Sequence, residues 1–314
     1  MHMNKTVTLL IPCYNEEESL PLLYDTLVPI MGDARYDWEL LFINDGSTDH
    51  TLSAIQALRE KDPRISYIDL SRNFGKERAM LAGFDYAQGD CVVILDADLQ
   101  DPPSLVPEML RYWEEGYEDV YAKRRSRGKE GWLRKKLSLA YYSLLQKTTR
   151  VEILQNVGDF RLLDRKCIEA LKQIRENERY TKGMFCWIGF KKKEILFDRG
   201  DRVVGKSSFN FASLFNLGID GITSFTTAPL RMSTILGFII SLGAFLMMMF
   251  FLLKRLIFGD PVQGFSALIV VILFLGGIQL LSLGIIGEYI GRIFNETKNR
   301  PVYLVNTYQG REKN

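Results

Sequence analysis

The segment that decides the fold is Val92-Val93-Ile94-Leu95-Asp96-Ala97-Asp98-Leu99-Gln100-Asp101-Pro102-Pro103. Its run of branched apolar residues indicates a short strand buried on both faces, as in a parallel sheet, and its prolines mark where the chain leaves that strand. Asp96 and Asp98 are two residues apart, so an extended backbone projects both carboxylates to the same side. Because ligands bind at the carboxyl ends of strands in open α/β sheets, both carboxylates lie where a ligand site is expected.

The side chains after this strand suit a divalent metal ion. Asp96, Asp98 and the carboxamide of Gln100 offer hard oxygen ligands, which Mg²⁺ and Mn²⁺ prefer, and substrate phosphates can complete the coordination shell. A solvated acidic turn is the alternative interpretation of an isolated Asp-x-Asp pair. The other strand exits favour the metal site, since they carry polar groups that a plain turn does not require.

Composition bounds the class of protein. The 314 residues suffice for a full α/β domain and additional segments. A formal net charge of +2 gives no reason to expect a nucleic-acid partner. The four cysteines show no Cys-x-x-Cys spacing, which favours buried thiols in a reducing compartment. No signal peptide is expected, because the polar first residues lead directly into a strand.

Two long apolar segments predict a membrane protein. Residues 233–253 and 262–287 carry no charged side chain, and at about 1.5 Å per helical residue each can cross a hydrocarbon core of about 30 Å. Their short link predicts a transmembrane hairpin over 231–290. The excess of Lys and Arg outside it predicts that residues 1–207 and the tail 291–314 are cytosolic. Two buried core helices are the alternative, but cytosolic domains seldom contain uncharged segments of this length.

Strands and helices alternate along the N-terminal two-thirds of the chain. Apolar runs predict strands at residues 7–11, 39–43, 65–70, 92–95 and 120–122. Amphipathic stretches with short connections lie between them. This alternation predicts an α/β fold with a doubly wound, mostly parallel sheet whose functional loops share one edge.

Further polar residues follow the other predicted strands. Tyr14 can stack on a flat base, while Glu16 and Asp45 can accept hydrogen bonds from a pyrimidine edge or a ribose hydroxyl. Lys76, at the start of a helix, can meet a phosphate beside free backbone amides. The pattern predicts that these exits form one site with the Asp96 segment.

Four motifs at these exits resemble those of a known enzyme family. They are Pro12-Cys-Tyr-Asn-Glu16, Asn44-Asp-Gly-Ser-Thr-Asp49, Arg72-Asn-Phe-Gly-Lys76 and Asp96-Ala-Asp-Leu-Gln-Asp-Pro-Pro103. They resemble the successive motifs of family 2 glycosyltransferases with the GT-A fold. The whole chain, hairpin included, resembles the polyprenyl-phosphate glycosyltransferases of the bactoprenol glucosyltransferase type, which are relatives of dolichyl-phosphate mannose synthase. One departure is Asn44, where many relatives have a second Asp.

The resemblance implies roles for the residues on the donor side. Those expected to bind the UDP-sugar donor are Pro12, Tyr14, Glu16, Asp45 and Lys76. Those expected to hold Mg²⁺ or Mn²⁺ on its diphosphate are Asp96, Asp98 and Gln100, and Asp98 is thereby also assigned to catalysis. A bound dication stabilises the negative charge that departing UDP gains in the transition state.

The acceptor side is expected from the middle of the chain. Residues 158–163, expected between helices, resemble a family segment in which an Asp is proposed as general base, and Asp159 takes that position beside Arg161. The second pKa of a polyprenyl phosphate is about 6, so its attacking oxygen is mostly deprotonated at neutral pH. We therefore expect Asp159 to position the acceptor, the metal or the sugar hydroxyls instead of abstracting a proton.

Basic residues are expected to meet the lipid phosphate and the membrane surface. A loop around Gly205 resembles the family's flexible acceptor loop, with a solvated basic loop as the alternative. The acceptor contacts expected from this loop and from the middle segment are Arg124, Arg125, Arg202, Lys206 and Ser207, with Arg202 assigned to catalysis. Basic and aromatic residues over 123–145 predict a membrane-surface helix, or alternatively a core helix, and residues 208–230 predict a second interfacial helix.

Together these features predict a membrane-anchored, inverting glycosyltransferase of the plasma membrane. It is expected to move a hexose, glucose before N-acetylglucosamine, from a UDP-sugar to undecaprenyl phosphate. The lipid-linked product is expected to pass to a flippase and an extracytosolic glycosyltransferase that modifies a cell-envelope polysaccharide. We also expect a homo-oligomer and no nucleic-acid partner. A processive polysaccharide synthase is disfavoured because its Gln-x-x-Arg-Trp motif is missing. The Asp96 and Asp98 pair disfavours a sugar-nucleotide-binding scaffold without turnover.

Overall fold

The structure is a computed structural model that describes residues 4–125, 154, 156–177, 179–198, 228–258 and 265–311. Its contacts divide the chain into two units. The first comprises Met1–Gly218 with Pro301–Asn314, and the second comprises Ile219–Arg300. Residues 301–314 of the predicted tail 291–314 group with the first unit, and the predicted domain bounds stay predictions.

The first unit is built on one mixed sheet. Its strands are β1 (Lys5–Cys13), β2 (Tyr36–Asn44), β3 (Ile65–Leu70), β4 (Cys91–Ile94), β5 (Asp119–Arg124), β6 (Val157–Asp164), β7 (Lys192–Phe197) and β8 (Val305–Gln309). Their order across the sheet is β7-β5-β6-β4-β1-β2-β3-β8.

The helices alternate with these strands and then continue into the second unit. In the first unit they are α1 (Ser19–Leu27), α2 (Thr51–Lys61), α3 (Lys76–Tyr86), α4 (Val106–Glu114), α5 (Arg165–Gln173) and α6 (Thr181–Trp187). In the second unit they are α7 (Ala228–Phe258) and α8 (Phe265–Thr297). Single 3₁₀ turns occupy Ile30–Gly32 and Pro103–Leu105.

The parallel centre of the sheet forms the core of the first unit. β1 pairs in parallel with β2 and β4, and β2 pairs in parallel with β3. Helices α1, α2 and α4 bury apolar side chains against one face, and α3 packs on the opposite face against β1 and β2. With both faces covered, most side chains of these strands are apolar, as the sequence predicts, although Thr8, Glu39 and Ser66 are also buried among them. The predicted α/β class is confirmed, and the run 65–70 coincides with β3.

Two strands that the sequence does not predict flank this parallel centre in antiparallel orientation. β6 pairs with β4, and β8 pairs with β3. The expectation that residues 158–163 lie between helices is therefore wrong, because they form most of β6. β7, parallel to β5, is also unpredicted.

The second unit contains the two long helices at the predicted apolar segments. Within the described residues, Phe274–Thr297 is long and apolar enough to cross a membrane, whereas Ser233–Met247 forms a shorter apolar stretch. Many large apolar side chains on both helices are exposed, including Phe238 at 69% and Leu280 at 71%. The pair of membrane spans stays a prediction. The predicted interfacial segments at 126–145 and 208–227 lie outside the described residues.

Candidate functional site

The parallel pairing brings four chain segments to one edge of the sheet. Cys13 is paired with Asn44, and Asn44 with Asp69, so β1, β2 and β3 end side by side. β4 ends beside β1, and Leu95 donates its amide hydrogen to the carbonyl of Leu10. The segments that begin at residues 14, 45, 71 and 95 consequently leave the sheet at the same edge, as its doubly wound pattern predicts.

A lysine between two carboxylates lies at the centre of this edge. The Nζ atom of Lys76 is 2.5 Å from Oδ1 of Asp96 and 2.9 Å from Oδ2 of Asp159. These residues come from the start of α3, the exit of β4 and strand β6. Burial alone would lower the pKa of Lys76, but the charges of Asp159 and Asp96 outweigh it and raise that pKa, so the ammonium stays charged. Lys76, predicted to meet a phosphate, is here the counter-ion of both carboxylates.

Asp159 is an ionised and largely buried carboxylate. Burial favours its neutral form, but the positive charges of Lys76, Lys182 and Arg161 outweigh burial and lower the pKa of Asp159 to about 2. Its Oδ1 atom is buried without a hydrogen-bond partner among the described residues. The carboxylate therefore has one oxygen bound to Lys76 and a second, buried oxygen whose capacity to accept a hydrogen bond is unused among the described residues.

The metal ligands predicted at the β4 exit adopt a turn beside this cluster. The side chain of Asp96 is 28% exposed, and Asp98 is buried, with its Oδ1 accepting the amide hydrogen of Gln100 at 3.1 Å. Leu99 between them has φ +57°, in the left-handed region. The described residues contain no group of three His, Cys, Asp or Glu side chains arranged for a metal ion. Two carboxylates still fit a cation whose remaining ligands are water and substrate phosphates, and the Lys76 ammonium shows that Asp96 already attracts a cation.

Asp45 links two of the exit loops. It is 3% exposed, and its two carboxylate oxygens accept amide hydrogens from Phe74 at 2.7 Å and Gly75 at 2.8 Å. Burial raises the pKa of Asp45 even though these hydrogen bonds favour its charged form. Each oxygen retains a further lone pair, so its predicted contact with a nucleoside stays a prediction.

Gly46 allows those loops to approach each other closely. Its φ is +62°, and a Cβ atom at this position would lie 2.3 Å from the carbonyl carbon of Arg72. Such a distance is well inside van der Waals contact, so only glycine fits between the turn and the loop that leads to Lys76.

The β1 exit presents an aromatic side chain to solvent. Tyr14 is 46% exposed, whereas Pro12 is half-buried within β1. Asn15 has φ +56°, and its Oδ1 accepts the amide hydrogen of Thr48 at 2.8 Å, which ties this exit to that of β2. Glu16 accepts a hydrogen bond from the hydroxyl of Ser19 at 2.6 Å. Their predicted contacts with a nucleoside remain predictions.

Arg161 lies in the core behind Asp159. It is 1% exposed, its Nη1 lies 3.2 Å from Oδ2 of Asp119, and its guanidinium carbon lies 3.8 Å from the centre of the Phe185 ring. On strand β6 it is two residues from Asp159, so both side chains point to the same face. Arg161 therefore makes a packing and electrostatic contact behind the site, and its predicted contact with a substrate stays a prediction.

Sequence reasoning missed Glu77. Its Oε2 atom accepts the amide hydrogen of Thr181, at the start of α6, at 2.9 Å. Burial and the nearby charge of Asp159 raise the pKa of Glu77. Its position directly after Lys76, in the first turn of α3, was the signal that could have found it.

The predicted acceptor residues are only partly described. Arg124 is 26% exposed in its side chain, with Nη2 lying 3.9 Å from Oδ1 of Asp101. Arg125 is exposed and pairs with Asp198 at 3.6 Å. Arg202, Lys206 and Ser207 lie outside the described residues.

Comparisons with known proteins match the chain over most of its length. The family model described as "Glycosyl transferase family 2" matches residues 8–172. A glycosyltransferase of Synechocystis sp. is 44% identical over 99% of this chain and 98% of its own length. The SfII prophage-derived bactoprenol glucosyl transferase of Shigella flexneri is 43% identical over 95% of this chain and 97% of its own length. A solved structure of glucosyl-3-phosphoglycerate synthase from Mycobacterium tuberculosis, with Mn²⁺, UDP and phosphoglyceric acid, is 20% identical over 70% of this chain and 76% of that one, with a TM-score of 0.48.

Proposed function

The chain belongs to glycosyl transferase family 2, and on that premise we propose that it transfers a hexose from a UDP-sugar to a polyprenyl phosphate. The observation that carries the proposal is the near full-length similarity to a protein described as a bactoprenol glucosyl transferase. Glucose is accordingly the proposed sugar, with N-acetylglucosamine as the second candidate. The acceptor class follows from the same similarity, since bactoprenol is a polyprenyl lipid.

The β1 and β2 exits form the proposed nucleoside side of the site. The exposed ring of Tyr14 stacks on the uracil base, and Glu16 and Asp45 accept hydrogen bonds from the base edge or the ribose. Because Asp45 also holds the loop of Phe74 and Gly75, nucleoside binding and the position of Lys76 depend on the same carboxylate.

Asp96, Asp98 and Gln100 are the proposed ligands of Mg²⁺ or Mn²⁺. When bound, the dication neutralises negative charge on the diphosphate of the donor. Lys76 lies against the same carboxylate and has a side chain that is 42% exposed, so its ammonium can turn from Asp96 to a phosphate oxygen. Departing UDP then meets positive charge that is held in place before the bond breaks.

Asp159 positions the reacting groups in this proposal. Its low pKa makes it a weak proton acceptor, and the second pKa of the acceptor phosphate, about 6, leaves little need for a base. Its second oxygen instead accepts a sugar hydroxyl or contacts a cation. A single in-line attack of the lipid phosphate on the anomeric carbon inverts the configuration and needs no covalent enzyme intermediate.

We place the protein at the plasma membrane, with the sheet unit in the cytosol. The support is the long apolar helix Phe274–Thr297, the exposed apolar side chains of both long helices, and a lipid-linked acceptor. The second span, a homo-oligomeric state and the later transfer by a flippase and an extracytosolic glycosyltransferase belong to the same proposal.

A transfer assay with the full-length protein tests the proposed function. The purified protein is incubated with undecaprenyl phosphate, Mn²⁺ and radiolabelled UDP-glucose or UDP-N-acetylglucosamine, and label is counted in the organic phase. We expect label from UDP-glucose, and we expect transfer to stop when Asp96 and Asp98 are both replaced by Asn. Asp37→Asn is the matched control, because Asp37 is exposed near the opposite end of β2.

Two outcomes would contradict this proposal. If neither donor gives labelled lipid although the protein binds UDP, a sugar-nucleotide-binding scaffold is the better interpretation. If the double Asn variant still transfers sugar in the presence of a chelator, the proposed metal site is wrong.

A further inference from the structure

Asp69, at the carboxyl end of β3, is hydrogen-bonded from both sides. It is 7% exposed. Its Oδ1 accepts from Nδ2 of Asn44 on β2 at 2.7 Å, and its Oδ2 accepts from Nδ2 of Asn306 on β8 at 2.8 Å. A charged oxygen with a carboxamide donor on each side forms stronger hydrogen bonds than neutral pairs do. The three side chains therefore connect three neighbouring strands at the edge where the site lies.

The backbone of β8 is irregular at the residue that makes this contact. Asp69 is paired with Thr307 and Leu70 with Val305, which leaves Asn306 as an extra residue between them. A bulge of this kind changes the direction of one side chain in an otherwise regular strand. Here it accompanies the Asn306 contact with Asp69.

Asn44 connects Asp69 to the site, because Asn44 donates a hydrogen bond to Asp69 and directly precedes Asp45. Asp45 holds the amides of Phe74 and Gly75, and Gly46 packs against the backbone at Arg72. The loop ends at Lys76, the central cation of the site. A continuous series of short contacts therefore leads from Asn306 to the proposed donor-binding residues.

We propose that Asn306 is a positioning residue for the donor site, and that it acts through Asp69 and Asn44 on the turn that carries Asp45. The inference rests on the proposed function, because it assigns the affected ligand to the nucleoside diphosphate. Strand β8 thereby contributes to donor binding without touching the donor.

The remaining contacts of β8 allow this role to be tested without detaching the strand. Its backbone pairs with β3, the Tyr308 ring lies 4.6 Å from that of Tyr86, and Gln88 donates a hydrogen bond to the Tyr308 hydroxyl at 3.3 Å. Removing only the carboxamide of Asn306 leaves all of these contacts in place.

The experiment measures UDP binding, donor kinetics and thermal unfolding of the full-length protein with Mn²⁺. For Asn306→Ala we expect the Kd for UDP and the KM for UDP-glucose to rise about three- to tenfold, as for loss of one ordinary hydrogen bond, because Asn306 is exposed and water can replace part of its bond to Asp69. The kcat should stay within about twofold, since the reacting groups are untouched. For Asn306→Asp we expect a larger rise, because a second carboxylate then faces Asp69. Gln309→Ala, at an exposed position on the same strand, is the control and should match the wild type.

A paired exchange separates positioning from simple loss of structure. In the double variant Asp69→Asn with Asn306→Asp, the new amide at 69 can donate to the carboxylate at 306 and still accept from Asn44. We expect the Kd for UDP to return toward the wild-type value.

Three outcomes would overturn the inference. Unchanged UDP affinity and donor KM in both Asn306 variants would overturn it alone, while the proposed function stands. If the double variant Asp69→Asn with Asn306→Asp bound UDP more weakly than Asn306→Asp, this inference would be wrong while the proposed function stands. A wild-type protein that binds no UDP would overturn the proposed function and this inference together.

Discussion

Strands β6 and β8 occupy equivalent places on opposite sides of the parallel centre, but they serve the site differently. β6 runs antiparallel to β4 and brings a charged residue, Asp159, into direct contact with Lys76. β8 runs antiparallel to β3 and brings a neutral residue, Asn306, which among the described residues is linked to the site through Asp69 and Asn44. The two flanking strands therefore differ in what they supply: β6 places a charged side chain in direct contact with the central lysine, and β8 places a neutral hydrogen-bond donor against Asp69.

This comparison predicts which measurements respond to changes on each side. Changes on the β6 side should affect stability and kcat, because the charges there are buried and close to the proposed reacting groups. Changes on the β8 side should affect donor affinity. The following experiments test that separation, from the largest expected effect to the smallest.

Removing the buried guanidinium of Arg161 on β6 should cause the largest change, a loss of stability. Arg161→Met leaves the Asp119 carboxylate, which is fully buried, without its charged partner. We expect a loss of about 3–5 kcal/mol in the free energy of unfolding, as for other broken buried pairs. Thermal or urea unfolding of the full-length protein measures it. The double variant Arg161→Met with Asp119→Leu should recover much of that loss, and equal stability of the single variant and wild type would refute the role assigned to Arg161.

Replacing Asp159 should reduce kcat. Expressed as a free energy, this loss is smaller than the loss of stability expected for Arg161→Met. Asp159→Asn keeps the shape but removes the charge that holds Lys76, so we expect kcat to fall about 10²-fold from misplaced groups, with the Kd for UDP nearly unchanged. Because its folded pKa of about 2 lies below its unfolded value, Asp159 contributes stability at neutral pH that is lost only as pH falls from about 4 toward 2. Asp159 therefore stays ionised between pH 5 and 8.

The pH profile of the transfer reaction distinguishes positioning from proton abstraction. The rate should rise through a pH of about 6, where the acceptor phosphate ionises, in both the wild type and Asp159→Asn. If Asp159→Asn were inactive at pH 6 and recovered steeply as the pH rose, proton abstraction by Asp159 would be favoured instead.

The smallest effect on stability and donor binding is expected from a change at Gly46, in the turn that follows β2. Gly46→Ala places a Cβ atom against the backbone of Arg72 and requires an unfavourable φ, so we expect about 1–3 kcal/mol of destabilisation. The strain falls on the turn of Asp45, so the Kd for UDP should rise more than kcat falls. Gly32→Ala is the matched control, since no atom lies within 4 Å of its added Cβ and its φ is ordinary. A rise in Kd for both variants alike would count against the proposed position of the nucleoside.

The sequence predicts the parallel centre of the sheet well, because strands that are buried on both faces consist mostly of consecutive apolar residues. The runs at 7–11 and 65–70 are mostly apolar, interrupted by Thr8 in the first and by Ser66 and Asp69 in the second, and turn residues follow each strand. The same turn residues pointed to Asp45, Lys76 and Asp96, and the structure brings these three to one edge. The local sequence pattern is sufficient to predict a strand when the helices that cover it are its neighbours in the chain.

The antiparallel strands escaped prediction because their pairing depends on distant parts of the chain. β6 contains Asp159, which contacts Lys76, and Arg161, which packs against Phe185, so its pattern of charges resembles a surface loop although both are buried. β8 is a short polar segment whose partner β3 lies more than 200 residues earlier in the chain. The contact of Lys76 with Asp159 required β6 to be placed first, and no spacing in the sequence supplies that placement.

The pairing of β8 with β3 also sets an order of events during synthesis. Residues 305–309 leave the ribosome after both long helices have been made. Until then, the backbone groups of β3 that pair with β8 have no partner strand. Unpaired edges of this kind readily add strands from other molecules. A polypeptide cut at residue 300 would keep that edge open permanently, so a version lacking the helices should retain residues 301–311 by rejoining them through a linker.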